Sequence, residues 1–287
     1  MNKILAIYVL YNPDEIVIND SLSFVREYVD NIWITDNSKF SHDFGEGIEY
    51  VHQPDNKGIA FGQNLGIQYA IENGYDWIIF FDQDSVFDGE FLKKLFASFH
   101  SLLEYDKDAY GMGPLSINMD SGVELNKKSM RKPIVVDSKR FIPVRELMCS
   151  ASVVKTEMFK KVGLMDESLF IDGVDFEISG RAAHLIGAHF YLTSDCILKH
   201  QLGEGDRKIL GRNSHIPTPF RVYYQVRNGI MLSKRKYVPM KWKIQENIKS
   251  LGKMLLFPIL LKPRGKYCKM ILKGYRDGLF DRNNEGE

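Results

Sequence analysis

Strand-like and helix-like patterns of apolar residues alternate through the first half of the chain. The runs that predict strands are Ile4 to Leu10, Asn31 to Thr35, Ile48 to His52 and Trp77 to Phe81. Between these runs, apolar residues recur at intervals of three or four, which predicts helices after Asp14, from about Ile59 to Gly74, and from Leu92. This alternation is typical of an α/β protein with a mostly parallel, doubly wound sheet and flanking helices. The loops after the strands are then expected at one edge of the sheet.

The second half of the chain has a less regular pattern. The elements predicted there are a hairpin or flap in Met119 to Pro143, a strand in Glu146 to Val154, a helix in Asp175 to Ile186, short strands in Phe190 to Thr193 and Cys196 to Lys199, and a helix opened by Pro217 and Pro219. Residues 203–214 are polar and contain glycine, so a mobile loop is expected. We divide the chain into a main α/β domain, residues 1–232, and a basic, helical C-terminal extension, residues 233–287.

The C-terminal extension carries a helical stripe of apolar residues formed by Ile244, Ile248, Leu251 and Leu255. Between Met231 and Arg276 there are 13 Lys or Arg residues and one acidic residue, Glu246, and Trp242 lies near one end of the stripe. A basic amphipathic helix with an aromatic anchor predicts reversible binding to an anionic membrane surface. The alternative is a helix that packs on the body of the protein or on a second subunit of a homodimer.

Composition and charge narrow the class of protein. Over 287 residues, 44% hydrophobic and 26% charged residues are ordinary for a globular protein, and a net charge of +1 argues against nucleic-acid binding. The three cysteines are widely spaced, so they predict neither a disulfide framework nor a Cys-x-x-Cys site, and they favour a reducing cytosol. The apolar run from Met254 to Leu261 is too short to span a membrane. We therefore expect a cytoplasmic protein that is peripheral on the inner face of the cell membrane.

Two carboxylates directly follow the most apolar predicted strand. Asp82 and Asp84 come after Trp77 to Phe81, and side chains at i and i+2 of an extended segment point in the same direction. Open α/β sheets bind ligands at this edge, and two oxygen ligands suit Mg²⁺ or Mn²⁺ that also contacts substrate phosphates. A second Asp-x-Asp sequence, at residues 106–108, follows no apolar run, so we interpret it as a solvated loop.

Two other strand-end loops contain candidate binding residues. Asp36 ends the second strand, and its carboxylate could accept the imide N–H of uracil or thymine; alternatively, the turn of residues 36–38 satisfies its own backbone. Asn56 and Gly58 lie in a Gly/Asn-rich loop that enters a helix. There a glycine permits close backbone approach and the helix N-terminus favours an anion. The alternative for this loop is a helix cap with small packing residues.

A second acidic cluster occurs later in the chain. Asp175 and Glu177 lie at a loop-to-helix boundary, where a carboxylate could remove a proton from an attacking hydroxyl group. The alternative is that both acids only complement the helix macrodipole. His200 ends a short predicted strand and by itself is more often structural than a metal ligand. It becomes a candidate third ligand only together with Asp82 and Asp84.

The order of these segments resembles a known family. The chain contains, in sequence, YNP, DNS, DNKGIAFGQNLG, FFDQDS, FIDGVDFEISGRA and the later His200. From about Ile4 to Leu232, this pattern is similar to that of family 2 inverting glycosyltransferases with a GT-A fold. The resemblance implies these roles: Asp36 at the nucleobase, Asp82 and Asp84 on a divalent metal and the donor diphosphate, Asp175 as catalytic base, and His200 as a further metal or diphosphate contact.

Three details refine the resemblance. The segments DQDS and RVYYQVRN are similar to those of the bacterial rhamnosyltransferases in this family, which use dTDP-L-rhamnose. Many family members have an acidic residue directly before the base, but this chain has Val174, which makes Asp172 an alternative base. Processive synthases of the family carry Gln-x-x-Arg-Trp, and residues 225–228 lack the Trp, which implies a non-processive enzyme.

The resemblance implies metal-dependent, inverting transfer of a sugar to a hydroxyl group of a lipid-linked or oligosaccharide acceptor, in bacterial cell-surface polysaccharide synthesis. A UDP-hexose or UDP-galactofuranose is the alternative donor. Two other functions are alternatives to sugar transfer. A sugar nucleotidyltransferase needs a Gly-rich triphosphate loop near the N-terminus, and residues 10–13 are not one. A non-catalytic nucleotide- or glycan-binding module would have acidic pairs that are only structural.

Overall fold

The computed structural model describes residues 2–84, 87, 89–118, 131–200, 206–209, 212–215 and 217–280. The strands are β1 (Ile4–Leu10), β2 (Asn31–Asp36), β3 (Glu49–His52), β4 (Trp77–Phe81), β5 (Ala109–Asn118), β6 (Ile134–Val136), β7 (Lys139–Val144), β8 (Ser152–Lys155), β9 (His189–His200), β10 (Asp206–Ile209) and β11 (Arg212–His215). The α-helices are α1 (Glu15–Val25), α2 (Gly58–Glu72), α3 (Gly89–Tyr105), α4 (Thr156–Val162), α5 (Val174–Ile186), α6 (Pro219–Ser233), α7 (Met240–Leu260) and α8 (Arg264–Leu279).

Nine of the strands form one central sheet, in the order β3-β2-β1-β4-β8-β5-β9-β7-β6, and β10 pairs with β11 in a separate hairpin. The first four strands are parallel, as the alternation of strands and helices predicts. β5 and β9 are also parallel, whereas β8 is antiparallel to β4 and β5, and β7 is antiparallel to β9. This half of the sheet is mixed because the chain forms the hairpin β6–β7 there instead of a helical crossover.

Some predicted elements differ from the structure. The predicted strand from Glu146 to Val154 is wrong over most of its length, because residues 145–151 form a loop between β7 and β8. The two short strands predicted in residues 190–199 are one strand, β9, with an irregular register opposite β5. Part of the segment that we expected to be mobile forms the hairpin of β10 and β11. The predictions for residues 119–130, 203–205, 210 and 211 lie outside the described residues.

Both faces of the sheet are buried, which explains the unbroken apolar runs of β1 and β4. The even-numbered residues of β1 pack with α1 and α3, whereas Leu5 and Ile7 pack with α2, α4 and α5. Side chains alternate between the faces of a strand, so a strand covered on both sides is apolar at every position. Each fully buried Leu or Ile side chain stabilises the fold by about 1.5–3 kcal/mol relative to exposure.

Two glycines bring α2 close to the sheet. A Cβ atom at Gly62 would lie 2.7 Å from Cγ1 of Val9, and one at Gly66 would lie 2.8 Å from Cδ1 of Ile7. A larger residue at either position would push the helix away from β1. The short distance places the first turn of α2 beside the ends of β1 and β2, where the candidate binding residues lie.

The last helix, α8, packs closely on α6. A Cβ atom at Gly274 would lie 2.8 Å from the carbonyl oxygen of Tyr223, and one at Gly278 would lie 2.8 Å from that of Arg227. Val222, Val226, Ile230, Leu261, Tyr267 and Ile271 form an apolar cluster between the C-terminal helices. The helical C-terminus is therefore confirmed, and part of it is packed against the body of the protein. The division at residue 232 stays a prediction.

Helix α7 keeps its apolar stripe on the surface. Ile248 is 64% exposed, and Ile244, Leu251 and Leu255 are exposed as well. Trp242, in contrast, stacks on Phe176 with ring centroids 4.4 Å apart and an interplanar angle of 15°. The ring thus packs against α5, and its role as a membrane anchor stays a prediction. In the described part of the chain, every helix is either too short or too polar to cross a membrane.

Candidate functional site

The carboxyl ends of the parallel strands bring the first candidate residues together. Leu10 pairs with Asp36 across β1 and β2, and Tyr8 pairs with Phe81 across β1 and β4. The loops after these strands therefore lie side by side, as the parallel arrangement predicts. We call the edge that carries Asp36, Asp82 and Asp84 the strand-end site.

The Asp36 carboxylate already has three hydrogen-bond partners. One oxygen accepts a hydrogen bond from the Ser38 backbone N–H at 2.9 Å; the other accepts one from the Tyr50 hydroxyl at 2.8 Å and lies 2.6 Å from Nδ1 of His42. Burial raises the pKa of Asp36, but the hydrogen bonds from His42, Ser38 and Tyr50 outweigh it and hold that pKa below its usual value. These contacts match the turn interpretation, and they add two partners from outside the turn. Binding of a nucleobase by Asp36 stays a prediction.

Two buried acceptor atoms beside this edge have no hydrogen-bond partner among the described residues. They are Oδ1 of Asn37, directly after β2, and Oε1 of Gln63, in α2. Such an atom costs about 1–3 kcal/mol of stability, a cost that natural proteins tolerate at few positions, functional sites among them. Sequence reasoning missed both residues. The sequence signal that could have indicated them is a polar residue at a buried position: Gln63 on the inner face of α2, and Asn37 directly after the end of β2.

Asn56 and Gly58 hold the entry to α2. The Gly58 N–H donates to Oδ1 of Asn56 at 3.2 Å, and the Ile59 N–H donates to the carbonyl oxygen of Phe170 at 2.8 Å. Gly58 has a φ of 88°, and a Cβ there would lie 2.6 Å from the Phe170 ring. Glycine is therefore required at this position. The contacts match the helix-cap interpretation, and contact of Asn56 and Gly58 with a nucleotide stays a prediction.

Asp82 and Asp84 differ in their surroundings. β4 ends at Phe81 and residues 83 and 84 form a turn, so the extended geometry that we assumed for the two aspartates is wrong. Asp82 is half-buried, whereas Asp84 is exposed. Gln83 between them exchanges two hydrogen bonds with the backbone of Tyr11, at 2.8 and 3.3 Å, which ties this turn to the end of β1.

The metal prediction depends on these two aspartates and His200. The described residues contain no cluster of three His, Cys, Asp or Glu side chains that could hold a metal ion. His200 ends β9, but its side chain lies outside the described part of the chain. Two aspartates alone fit an ion such as Mg²⁺, which keeps several water or phosphate ligands and needs few from the protein.

The loop of residues 145–151 connects Asp82 to Asp175. The Ser150 hydroxyl donates a short hydrogen bond to Asp82, and the Cys149 backbone N–H donates to Oδ2 of Asp175 at 3.3 Å. The Cys149 thiol also hydrogen-bonds to Asp175. Two adjacent residues thus hold two carboxylates that are far apart in the sequence. We missed both residues, because we assigned this segment to a strand.

Asp175 is the acidic residue of the second cluster that has no ion-pair partner among the described residues. Burial raises its pKa from the usual 3.8 to about 6, and the negative charges of Asp82 and Asp172 also raise it, against the hydrogen bonds from Cys149. Asp172 forms an ion pair with Arg221 at 3.0 Å, and Glu177 forms one with Arg181 at 2.7 Å. A carboxylate with a pKa near 6 can accept a proton close to neutral pH. Among the three acids, the geometry favours Asp175 as a base.

Helix α6 holds the loop that precedes Asp175. The side-chain amide of Asn228 donates to the carbonyl oxygens of Leu169, Ile171 and Asp172 at 2.7–2.8 Å. The fully buried Arg227 donates to the carbonyl oxygen of Ser168. The RVYYQVRN segment therefore has a structural role, because it fixes the loop that begins α5. From the sequence alone, this segment indicated only a similarity to rhamnosyltransferases.

Comparison with known proteins identifies a family. The profile of glycosyl transferase family 2 matches residues 4–163. The chain is also 33% identical, over 289 residues, to the dTDP-rhamnosyl transferase RfbF of Shigella flexneri, and the match covers 97% of this chain and 96% of that protein.

Two solved structures share the fold. The S. aureus TarS 1-349 structure aligns with a TM-score of 0.57 and 12% identity, covering 96% of this chain and 80% of that one. The structure of GalNAc-T7 with UDP, GalNAc and Mn²⁺ aligns with a TM-score of 0.53 and 15% identity; it covers 86% of this chain, which spans 55% of GalNAc-T7. Both neighbours are GT-A glycosyltransferases, so the predicted fold class is confirmed.

Proposed function

Since this chain belongs to glycosyltransferase family 2, we propose that it is a metal-dependent, inverting and non-processive enzyme that transfers one sugar from a nucleotide-sugar donor to an acceptor hydroxyl group. The observation that carries the proposal is the link through Cys149 and Ser150. This link holds Asp175, which has a pKa of about 6, in the same site as Asp82. A base and a carboxylate that would hold a divalent ion are the two groups that such a reaction needs.

Asp175 acts as the general base in this mechanism. It takes the proton of the acceptor hydroxyl group while the oxygen attacks the anomeric carbon of the donor sugar. The bond from that carbon to the diphosphate breaks in the same step, so the configuration inverts. The burial that raises the pKa of Asp175 also makes the carboxylate a stronger base than an exposed aspartate.

Asp82 and Asp84 would hold Mg²⁺ or Mn²⁺, with His200 as a further candidate ligand, and the ion when bound stabilises the charge of the departing nucleoside diphosphate. The donor set of carboxylate oxygens suits either ion. Ser150 orients Asp82 by its hydrogen bond, and Gln83 anchors the turn between the two aspartates. Mn²⁺ in the GalNAc-T7 structure, which shares the fold, is consistent with this assignment.

The donor that we propose is dTDP-L-rhamnose. It is supported by the 33% identity to the dTDP-rhamnosyl transferase RfbF, which extends over nearly the whole of both chains. Asp36, Asn56 and Gly58 would contact the nucleotide. Thymine and uracil offer the same imide edge to Asp36, so selection between dTDP- and UDP-sugars must come from other contacts.

The acceptor is a glycan, free or lipid-linked, in cell-surface polysaccharide synthesis, and residues 233–287 hold the enzyme at the inner face of the membrane. The exposed stripe of α7 and the basic residues around it support this location. A homodimer through the same stripe is the competing explanation.

A donor panel tests the proposal. The purified full-length protein is given dTDP-L-rhamnose, UDP-galactose, UDP-glucose or UDP-galactofuranose, with Mg²⁺ or Mn²⁺ and in parallel with EDTA. We expect hydrolysis of dTDP-L-rhamnose and protection against thermal unfolding, both lost with EDTA. Comparable turnover of a UDP-sugar would defeat the rhamnosyl assignment only. Absence of turnover and protection with every donor would contradict the proposed mechanism.

A further inference from the structure

A cleft of about 340 Å³ lies between α5, α6 and α7. Its walls come from the start of α5, with Gly173 and Phe176, from Gln225 to Leu232 of α6, and from one face of α7. This volume is in the range of small-molecule sites. The cleft lies outside the strand-end site, and α6 and α7 lie beyond residues 4–163, the part that the family profile matches.

The cleft has polar groups of both signs. Glu146, Glu246, Lys249 and Lys253 line it. Lys249 forms an ion pair with Glu246 at 2.6 Å, and Lys253 donates to Oε1 of Gln225 at 2.8 Å. An ammonium group has three donor hydrogens, so each lysine keeps donors for a ligand. The Glu146 carboxylate makes no hydrogen bond to any described residue, although it is half-buried.

One wall of the cleft is aromatic. Phe176 of α5 and Trp242 of α7 stack with an interplanar angle of 15°, and both rings line the cleft. Rigid rings beside a few convergent donors and acceptors form an amphipathic surface. A sugar ring has the matching chemistry, because it presents C–H groups on its faces and hydroxyl groups, which both donate and accept, around its rim. Three carboxyl groups, those of Glu146, Asp172 and Glu246, line the cleft against two lysines, which disfavours a phosphate group.

The cleft lies beside the start of α5, the helix that carries the proposed base. Asp172 and Gly173 line it, and Asp175 lies in the first turn of the same helix. Burial and, to a smaller extent, the charge of Asp175 raise the pKa of Glu146 to about 7, which places the two carboxylates within electrostatic range. Asp175 is thus near the donor-side residue Asp82 and also near the cleft. A hydroxyl group of a ligand in the cleft would approach Asp175 from there.

We infer that this cleft binds the acceptor as an uncharged sugar ring, with Glu146 and Lys253 hydrogen-bonding its hydroxyl groups and Phe176 and Trp242 supporting its face. The inference rests on the proposed function, and it gives α7 a second role besides contact with a membrane. The specificity for the acceptor then depends in part on residues after position 232, among them Trp242 and Lys253.

Saturation-transfer NMR tests the inference without any turnover. The full-length protein with dTDP and Mg²⁺ is mixed with a panel of uncharged methyl hexosides, methyl 6-deoxyhexosides and methyl N-acetylhexosaminides, and with hexose 6-phosphates. We expect transfer to at least one uncharged glycoside and weaker transfer to the phosphates. Glu146→Gln and Lys253→Gln should each weaken this binding by about tenfold or more, because each variant removes a charge-assisted hydrogen bond. Lys94→Gln, an exposed lysine on α3, is the matched control and should bind the glycoside like the wild type.

Glu146→Gln also separates a loss of glycoside binding from a loss of stability. The groups that face Glu146 are Asp175 of α5 and Lys249 and Glu246 of α7. An acid whose pKa is raised in the folded state lowers stability as the pH rises from its usual pKa towards about 7, because the folded protein then holds an unfavourable charge. The variant should therefore melt at a higher temperature than the wild type at pH 8, while it binds the glycoside less.

Unchanged glycoside binding in both Glu146→Gln and Lys253→Gln, or stronger binding of the phosphates, would overturn the assignment of the cleft. Binding of no sugar by the wild type would also overturn it. If the proposed function itself is wrong, the result is different: neither dTDP nor any nucleotide-sugar will protect the protein against thermal unfolding.

Discussion

The strand-end site and the cleft between α5, α6 and α7 hold their polar groups differently. In the strand-end site, Asp36 has three hydrogen bonds and Asp82 is held by Ser150. In the cleft, Glu146 makes no hydrogen bond to a described residue, and two lysines keep spare donors. The first region is preorganised by the protein, and in the second we propose that a ligand supplies the missing partners.

This difference has a consequence for rate and selectivity. Preorganised groups cost no reorganisation when charge develops in a reaction, so a rigid strand-end site suits the chemical step. A cleft between helices can change its lining side chains without disturbing the sheet. We therefore expect changes in the strand-end site to affect turnover, and changes in the cleft to affect the choice and KM of the acceptor.

The largest effect is expected from Asp82→Ala. The change removes the carboxylate that Ser150 orients, so metal-dependent donor turnover should fall below detection while the far-ultraviolet circular dichroism stays unchanged. Asp84→Ala should do the same if both aspartates hold the ion. Asp106→Ala is the matched control, since it belongs to the other Asp-x-Asp sequence. Near-normal activity in both Asp82→Ala and Asp84→Ala would place the metal site elsewhere.

That control has its own structural effect. We interpreted residues 106–108 as a solvated loop, but the Asp106 carboxylate lies 2.8 Å from Nδ1 of His189 and accepts a hydrogen bond from the Tyr191 hydroxyl at 2.7 Å. Asp106→Ala should therefore lower the melting temperature but retain turnover. The Asp-x-Asp sequence at residues 82–84 would then be required for catalysis, and the one at residues 106–108 for stability.

Asp175→Asn should lower turnover by about 10²- to 10⁴-fold, the usual loss when a general base is removed. Donor binding, measured by thermal protection, should be retained. Asp172→Asn should have the smaller effect on turnover, because Asp172 is engaged by Arg221. A loss confined to Asp172→Asn would assign the base to that residue.

The pH profile gives the next largest effect. Only the ionised Asp175 can accept a proton, so kcat/KM should decline about tenfold per pH unit below a pH near 6, the pKa to which burial raises this carboxyl. The Cys149 thiol lowers that pKa by its hydrogen bond. Cys149→Ala should therefore move the acidic limb to higher pH without removing it. An acidic limb near pH 4 in the wild type would contradict the burial of the base.

The smallest effect on chemistry is expected from the surface of α7. Basic residues near an anionic leaflet contribute about 1 kcal/mol each, with strong screening by salt, and the apolar stripe adds burial. The wild type should co-sediment with vesicles that contain anionic lipid at low salt and be released at high salt. Ile248→Gln should weaken this binding and leave turnover of a soluble acceptor unchanged.

Leu185→Gln is the matched control for the vesicle experiment, because Leu185 is 58% exposed on α5 and lies outside the stripe. Deletion of the extension is a poor test, since α8 packs on α6 through Gly274 and Gly278. Binding that does not depend on anionic lipid or on Ile248 would exclude the membrane role. A change of oligomer mass in Ile248→Gln would assign the stripe to a dimer instead.

The sequence by itself determined the parallel half of the sheet and marked several residues as candidates for the site. Strand and helix periods are local, and a strand buried on both faces has to be apolar throughout, so β1, β4 and α2 were predictable. Asp82 and Asp175 became candidates because Asp82 follows a recognisable strand and Asp175 begins a recognisable helix. The resemblance to family 2 glycosyltransferases used the same local segments, and the family assignment is confirmed.

Only the tertiary structure decided what these residues contact. Ser150 and Asp82 are 68 positions apart, and Cys149 and Asp175 are 26 apart, so no local pattern marks either hydrogen bond. The partners of Asp36 and the stacking of Trp242 on Phe176 likewise depend on how loops and helices meet in space. A periodic pattern reports which face of an element is buried, because burial acts on each residue separately. Which side chain satisfies a buried carboxylate depends on the packing of the whole chain.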